Sequence, residues 1–429
     1  MVNSVKGHID LSIVIPSMNE FQNLSQLLPA IRKTIERIGI IGEVLIVEAN
    51  KSDDDIKSLE GHNVKILFQN KKGFANALTT GFGAARGEYI LTMDADFSHD
   101  PAFISTLWEF RKKAEVVIAS RYVWGGKAYM PFWRKILSII LNWIYCKILS
   151  LPFKDFSTGF KLYNRKVLEM INITSTNFEV IEEIIIKIYS KGWKILEIPF
   201  KYKPRLHGSS NVRLWEFTIS YLKNLWSMFN LRYSPETADY DELAFNSLIP
   251  LQRYWQRKRF RIITEYLDYS TSIIDIGCGT GYLMKSFPQI VGMDVSISKI
   301  RNLKKVDNLV FLGSILELPI KDKSFQTVVC SQVIEHVPFT DEIFKNLNRI
   351  LVNRGTLIIG TPDYGKICWY IFEWLHGKIF PNSYTEGHIS KYTRESLFRK
   401  LNNFSFEILD YSYILGGELI VKCRKSGNH

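Results

Sequence analysis

The sequence predicts two α/β domains in succession, each built on a largely parallel sheet. Two observations carry this. Short apolar runs alternate with helical patterns over residues 11–230, and after residue 253 the alternation starts afresh. In the first stretch the strand-like runs are LSIVIP (11–16), EVLIVE (43–48), VKILFQ (64–69), YILTMD (89–94) and VVIAS (116–120), with amphipathic segments at 23–38 and 75–85 between them. In the second they are SIIDIG (272–277), IVGMDV (290–295), LVFLG (309–313), TVVCSQ (327–332) and TLIIG (356–360), led by a basic helix over Arg253–Tyr266. Residues 231–250 break both patterns and read as a linker. The expected division is therefore a domain over 1–232, a linker over 233–252 and a domain over 253–429.

Composition narrows the classes. Hydrophobic residues make up 46% of the 429, enough for two cores, which excludes a disordered chain. The five cysteines are scattered with no CxxC pair, which argues against a disulfide framework or a zinc site and suits a reducing compartment. The first ten residues lack the apolar core of a secretory signal. A net charge of +12 calls for an anionic partner. Nucleic acid is disfavoured, since no recognition motif is present and the basic residues border apolar helices. An aromatic content of 13% favours a membrane surface instead.

Two stretches sharpen that expectation. Residues 136–152 (ILSIILNWIYCKILSLP) carry one charge, Lys147, and follow Phe132, Trp133, Arg134 and Lys135. A spanning helix needs ~20 apolar residues, so this one is short, and its aromatic-basic border is typical of an interface. Residues 214–233 are similar, with Trp215, Phe217, Trp226 and Phe229. Both read as interfacial helices lying in the membrane surface. The expected location is cytoplasmic, on the inner face of a membrane.

The sharpest chemical motif of the first domain is Asp94-Ala95-Asp96 at the end of a strand. Two carboxylates one residue apart on such a turn suit Mg²⁺ or Mn²⁺, which take one or two carboxylates together with substrate phosphate oxygens. Residues 11–230 resemble glycosyltransferase family 2, and most of all the dolichol-phosphate mannosyltransferases. The resemblance lies in IVIPSMNE (13–20), KKGFANALTTGFGAARGEYILTMDADFSHDP (71–101), SRY (120–122), RKILS (134–138), FSTGFKLYNRKVL (156–168) and PRLHGSS (204–210). It implies an A-type glycosyltransferase fold, an inverting mechanism and a nucleotide-sugar donor, GDP- or UDP-linked, with mannose as the sugar it points to. It assigns donor binding to Pro16, Glu20, Lys72 and Gly73. Metal and diphosphate fall to Asp94 and Asp96, and the phosphate of a polyprenyl or dolichyl acceptor to Arg121, Arg134, Ser138 and Arg205. The turn after the second strand reads Glu48-Ala49-Asn50-Lys51-Ser52-Asp53 where the family has an Asp-Asp-Gly-Ser-like turn, and the resemblance implies that Glu48 and Asp53 lie at the donor's base and ribose. An acceptor phosphate is already anionic, so it needs cations to position it and no general base. Arg134 and Ser138 are four apart and share one side of a helix. A glycan hydroxyl as acceptor is the competing reading, and it requires a base near Asp94 and Asp96.

In the second domain, IDIGCGTG (274–281) places Gly277, Gly279 and Gly281 between a strand and a helix, and Asp294 ends the next strand. The GxGxG spacing disfavours a dinucleotide, whose motif needs glycine at Tyr282. With LELPIKDKSFQTVVCSQVIEHV (316–337) and LNRILVNRGTLIIGTP (347–362), these residues resemble class I S-adenosylmethionine-dependent methyltransferases related to ubiquinone-biosynthesis enzymes. The resemblance implies that Asp275, Gly277, Cys278, Gly279 and Gly281 hold the methionine end and that Asp294 holds the ribose. Ser314 stands where the family has an adenine-contacting Asp, with Ile315 beside it. His388, in EGHISKYT, is the candidate catalytic base and His336 a second candidate. The aromatic run 367–384 reads as a lid over an apolar acceptor or as a membrane contact. A second domain that only binds its cofactor is the remaining alternative.

Overall fold

Ile13, Val14 and Ile15 lie fully buried in β1 (Leu11–Ser17), flanked on both sides by parallel strands whose apolar runs are equally continuous. That is the pattern of a parallel sheet covered on both faces. The computed structural model describes residues 8–49, 54–61, 63–204, 214–305, 309–379 and 387–427. It divides into two compact units, Met1–Tyr189 with Trp193–Phe229, and Ser190–Gly192 with Asn230–His429.

The first unit holds a seven-stranded sheet. Its strands are β1, β2 (Gly42–Glu48), β3 (Val64–Phe68), β4 (Tyr89–Thr92), β5 (Val116–Ser120), β7 (Lys161–Asn164) and β8 (Ile195–Pro199), while β6 (Lys127–Ala128) pairs with β9 (Lys201–Tyr202) beside it. The order is β3-β2-β1-β4-β7-β5-β8. Only β7 runs antiparallel, to both β4 and β5. The helix Phe21–Ile38 buries Leu24, Leu27 and Ile31, one stripe at helical spacing, and stops at Gly39, whose left-handed backbone (φ 72°) closes the helix. Because β4 ends two residues before Asp94 and β7 starts opposite it, the carboxyl ends of β1, β2 and β4 meet the start of β7 along one edge. Ligands of open α/β sheets bind at such an edge.

The helix Phe132–Ile148 starts four residues before the expected apolar stretch and ends before Pro152. It turns Asn142 and Tyr145 inward, and the Tyr145 hydroxyl donates to the Tyr221 carbonyl (2.8 Å) of the helix Leu214–Arg232. Its other face exposes Phe132, Trp133, Ile136, Leu137, Ile139, Ile140 and Trp143, and the neighbouring helix exposes Ile219, Leu222 and Trp226. Among the described residues, no helix is long and apolar enough to cross a membrane.

The second unit also has seven strands, β10 (Ile273–Ile276), β11 (Val291–Asp294), β12 (Val310–Leu312), β13 (Phe325–Ser331), β14 (Leu351–Pro362), β15 (Phe406–Ile414) and β16 (Glu418–Lys425). They run in the order β12-β11-β10-β13-β14-β16-β15, parallel except for β16, which is antiparallel to both β14 and β15. The basic helix begins at Pro250 and ends at Tyr266; its Arg259 forks onto both carboxylate oxygens of buried Glu418 (2.6 and 2.7 Å). The stretch expected as a linker differs from that expectation. It contains the helix Tyr240–Phe245, with Tyr240 and Ala244 buried, and from Asn230 onward it belongs to the second unit. Its few apolar residues contact the second unit's own elements, as where Phe245 stacks on Tyr282 at 3.9 Å, and a six-residue helix gives little periodic signal.

Candidate active sites

In the first unit the Asp94-Ala95-Asp96 turn follows β4 after Met93. Asp94 is part-exposed and Asp96 is buried. The Asp96 Oδ1 accepts from both the backbone N–H (3.1 Å) and the hydroxyl (2.5 Å) of Ser98. His99 accepts the Asp94 backbone N–H at Nδ1 (2.9 Å) and sets Nε2 at 3.7 Å from the Asp94 carboxylate. Burial holds His99 below the usual imidazole range against the opposing pull of Asp94 and Asp96. A cavity beside the turn is lined by Pro16, Phe74, Leu78, Thr92, Asp94 and Gly159, among others. A side chain at 159 would sit 3.3 Å from Asp94 Oδ1, so glycine keeps that carboxylate clear. Hard oxygen donors on a turn opening to a cavity fit a divalent cation.

The other sequence-predicted groups fall into place unevenly. Pro16 lines the cavity with Asp94. Glu20 sits just before the helix Phe21–Ile38 and accepts from Asn23 Nδ2 (2.5 Å). Glu48 is fully buried at the end of β2, accepting from the Ser17 hydroxyl (2.6 Å) and the Ala49 N–H (2.9 Å). Lys72 is exposed; Gly73 donates to Gln69 Oε1 (3.1 Å), with a backbone that leaves no room for a side chain against the Thr176 carbonyl. Asp53 and Arg205 lie outside the described residues.

Arg121 is held in a way the sequence did not signal. Its Nε and Nη2 fork onto fully buried Asp155 (both 2.7 Å), and Nη2 also reaches the hydroxyls of Ser157 (3.0 Å) and Ser138 (3.4 Å). Burial opposes its charge, and Asp155 outweighs burial and keeps it. Arg134 and Ser138 share one side of the helix Phe132–Ile148, as expected. Arg121 and Ser138 are thus brought together, through Asp155 and Ser157. Next to them, Lys161 is fully buried in β7 and donates to the Phe156 carbonyl (2.6 Å); burial lowers it to about 7.

In the second unit, Gly277, Gly279 and Gly281 all adopt left-handed backbone (φ 73°, 55° and 70°). Asp294 accepts the Gly279 N–H at Oδ2 (2.9 Å) and the Ser296 N–H at Oδ1 (2.8 Å). Asp275, buried in β10, is pushed up to about 8 by burial and then by the nearby charges of Asp294 and Asp241. Cys278 is buried and its thiol is pushed well up, so it contributes backbone and bulk, not a thiolate. Ser314 follows β12 and caps the Leu316 N–H (3.2 Å). Ile315 is buried, with its carbonyl bonded by Asn346 (3.1 Å). A positively charged ligand fits this group of acids, and the glycines let Val333, Asp241 and Leu303 pack directly against the turn, where a Cβ at 277, 279 or 281 would stand within 2.4 Å of them.

His388 Nδ1 lies 2.6 Å from the Tyr364 hydroxyl, which is also 3.1 Å from Glu373. Burial first, then His336 and Lys391, lower His388 to about 4. The His336 ring meets it edge-on at 4.8 Å. Below them Glu335 is fully buried, with Oε1 lacking a partner and Oε2 accepting from Thr361 (3.2 Å). One ligand atom from each of Glu335, His336 and His388 lies within 4.8 Å of the other two, so the two histidines named from sequence form one cluster. The helix Ile367–Ile379 places Trp369 against His388 and Glu373 against Tyr364, while Ile367, Tyr370, Ile371 and Trp374 face outward.

Residues 12–171 match the model of glycosyl transferase family 2, and residues 274–359 match that of a methyltransferase domain. The chain's first half therefore carries a glycosyl transferase family 2 domain and its second half a methyltransferase domain. A dolichol-phosphate mannosyltransferase of Pyrococcus furiosus is 31% identical over 229 residues, covering 51% of this chain and 63% of that relative, so under two thirds of the relative's length is spanned. A SAM-dependent methyltransferase structure from Thermotoga maritima aligns at 20% identity over 47% of this chain and 100% of its own, with a TM-score of 0.37. Glucosyl-3-phosphoglycerate synthase from Mycobacterium tuberculosis, solved with Mn²⁺, uridine diphosphate and phosphoglyceric acid, aligns at 14% identity over 52% of this chain and 80% of its own, with a TM-score of 0.42.

Proposed function

We propose that the first domain transfers a sugar, mannose from GDP-mannose by its likeness to the mannosyltransferases, onto a polyprenyl phosphate at the cytoplasmic face of a membrane. The second domain methylates a small-molecule, glycan or lipid acceptor. One observation carries the reading most. The helix that bears Arg134 and Ser138 shows an aromatic and aliphatic face to its surroundings, within the same unit as the Asp94-Ala95-Asp96 turn. Apolar area of this kind, beside cations, suits a lipid whose phosphate is the nucleophile.

Each group then has a part. Pro16, Glu20, Glu48, Asp53, Lys72 and Gly73 serve the donor, and Arg205 is a further contact of the acceptor phosphate. Asp94 and Asp96 hold Mg²⁺ or Mn²⁺, which when bound offsets the charge of the departing diphosphate. Arg134 and Ser138 position the acceptor phosphate, and Arg121 orients Ser138 and Ser157 from below. In the second domain Asp275, the three glycines, Cys278, Asp294, Ser314 and Ile315 surround S-adenosylmethionine, which supplies an already activated methyl group. His388, held by Tyr364, takes a proton from a hydroxyl acceptor.

The test is incubation of the purified protein and membranes with labelled nucleotide sugars and Mn²⁺ or Mg²⁺. Label extracted into the lipid phase, lost in Asp96→Ala while S-adenosylmethionine affinity is kept, supports the reading. Label appearing only on a water-soluble glycan would overturn the lipid-phosphate acceptor.

A further inference from the structure

The helix Tyr240–Phe245 precedes every strand of the second unit, yet it is fastened to the glycine turn of that unit. Phe245 stacks on Tyr282, and Lys285 pairs with Glu242 at 2.5 Å. Between these two anchors Asp241 reaches the turn. Its Oδ2 accepts the Thr280 N–H (3.1 Å) and occupies space that any side chain at 279 would fill, 2.2 Å from where a Cβ would stand. Gly279 is therefore a glycine as much for Asp241 as for a ligand.

Asp241 is the third carboxylate at this turn, with Asp275 and Asp294. Asp294 has both oxygens engaged by the Gly279 and Ser296 N–H groups. Beside them the Thr280 hydroxyl is fully buried and has no partner. Acids gathered at one turn either keep a proton, as buried Asp275 does, or are stabilised by a cation that joins them. S-adenosylmethionine has two cationic centres, an ammonium and a sulfonium, both at its amino-acid end. We infer that Asp241 is a cofactor-binding residue, its carboxylate receiving the ammonium of the methionine moiety. This rests on the methyltransferase reading of the second domain and adds a ligand from outside the segment that matches it.

Calorimetric titration of the full chain tests the assignment with two probes. S-adenosylmethionine carries the amino-acid end; 5′-methylthioadenosine keeps the adenosine and sulfur but lacks both cationic centres. Asp241→Asn retains an oxygen for the Thr280 N–H and removes the charge. A charge-assisted hydrogen bond lost in this way weakens S-adenosylmethionine about ten- to hundredfold, with 5′-methylthioadenosine unchanged. Equal weakening of both compounds would assign Asp241 to the shape of the turn and overturn the proposal, as would unchanged affinity for S-adenosylmethionine. A wild-type chain that binds no S-adenosylmethionine overturns the methyltransferase reading together with it, a result distinct from a binding wild type with an indifferent variant.

Discussion

His99 Nδ1 accepts the backbone N–H of Asp94, and the same ring turns its other nitrogen toward the Asp94 carboxylate. With Nδ1 accepting, the proton of the neutral ring belongs on Nε2, so a single tautomer steadies both the backbone and the side chain of the first acid of the motif. His99 also stacks on Phe160 at 4.8 Å, which fixes the ring plane.

His99→Phe keeps the stacking and removes the acceptor. The expected result is about tenfold weaker Mn²⁺ binding by calorimetry. The orphaned N–H adds a stability loss of about 1–3 kcal/mol in urea unfolding. Unchanged metal affinity with the stability loss would confine His99 to the core.

Arg121 and Asp155 form a buried two-pronged ion pair. Removing one partner leaves the other charged in a dry site, so Asp155→Ala is expected to destabilise the first unit by about 3–5 kcal/mol. Denaturant melts read this directly, and a loss below 1 kcal/mol would show that water reaches Arg121 freely.

Trp143 is exposed on the helix Phe132–Ile148. Trp143→Glu is expected to leave thermal stability within about 0.5 kcal/mol, as for other surface changes, and to reduce co-sedimentation with anionic lipid vesicles. Undiminished co-sedimentation would remove this face from the lipid contact.

Asp275 titrates near 8 in the folded chain, above its unfolded value of about 3.9. The proton it retains contributes stability that is fully present below the unfolded value and is lost as pH rises toward 8. Without S-adenosylmethionine, the melting temperature of Asp275→Asn relative to wild type is therefore expected to shift upward between pH 4 and pH 8. A pH-independent difference would mean that Asp275 is charged throughout.

His388, lowered to about 4, is neutral across the physiological range. Its ring-proton NMR resonance is expected to stay constant between pH 5.5 and pH 8. A midpoint near 6.5 would place it in contact with solvent.

Most of the fold was legible because it rests on local signals. The apolar runs of β1, β2, β5 and β10 give strands, and Asp94, Asp96, Gly277, Gly279, Gly281 and Asp294 cluster within short motifs that sit at strand ends. The partners of those motifs were not legible. Asp155 meets Arg121 across 34 positions, and Asp241 meets Thr280 across 39. Such pairs depend on sheet order, which a periodic pattern does not encode. His99 lay within the quoted motif, but nothing in its spacing showed that its ring would turn back onto Asp94. The reading of 231–250 as a linker had the same origin. Its burial comes from Tyr282 and other distant residues, not from its own periodicity.

The bare strip on the helix Phe132–Ile148 has a bearing on how the protein behaves in a test tube. In a buffer without amphiphiles, the exposed Phe132, Trp133, Ile140 and Trp143 turn to water or to another copy. Particles of mixed size are the natural outcome at high concentration, and mild detergent should resolve them into single chains.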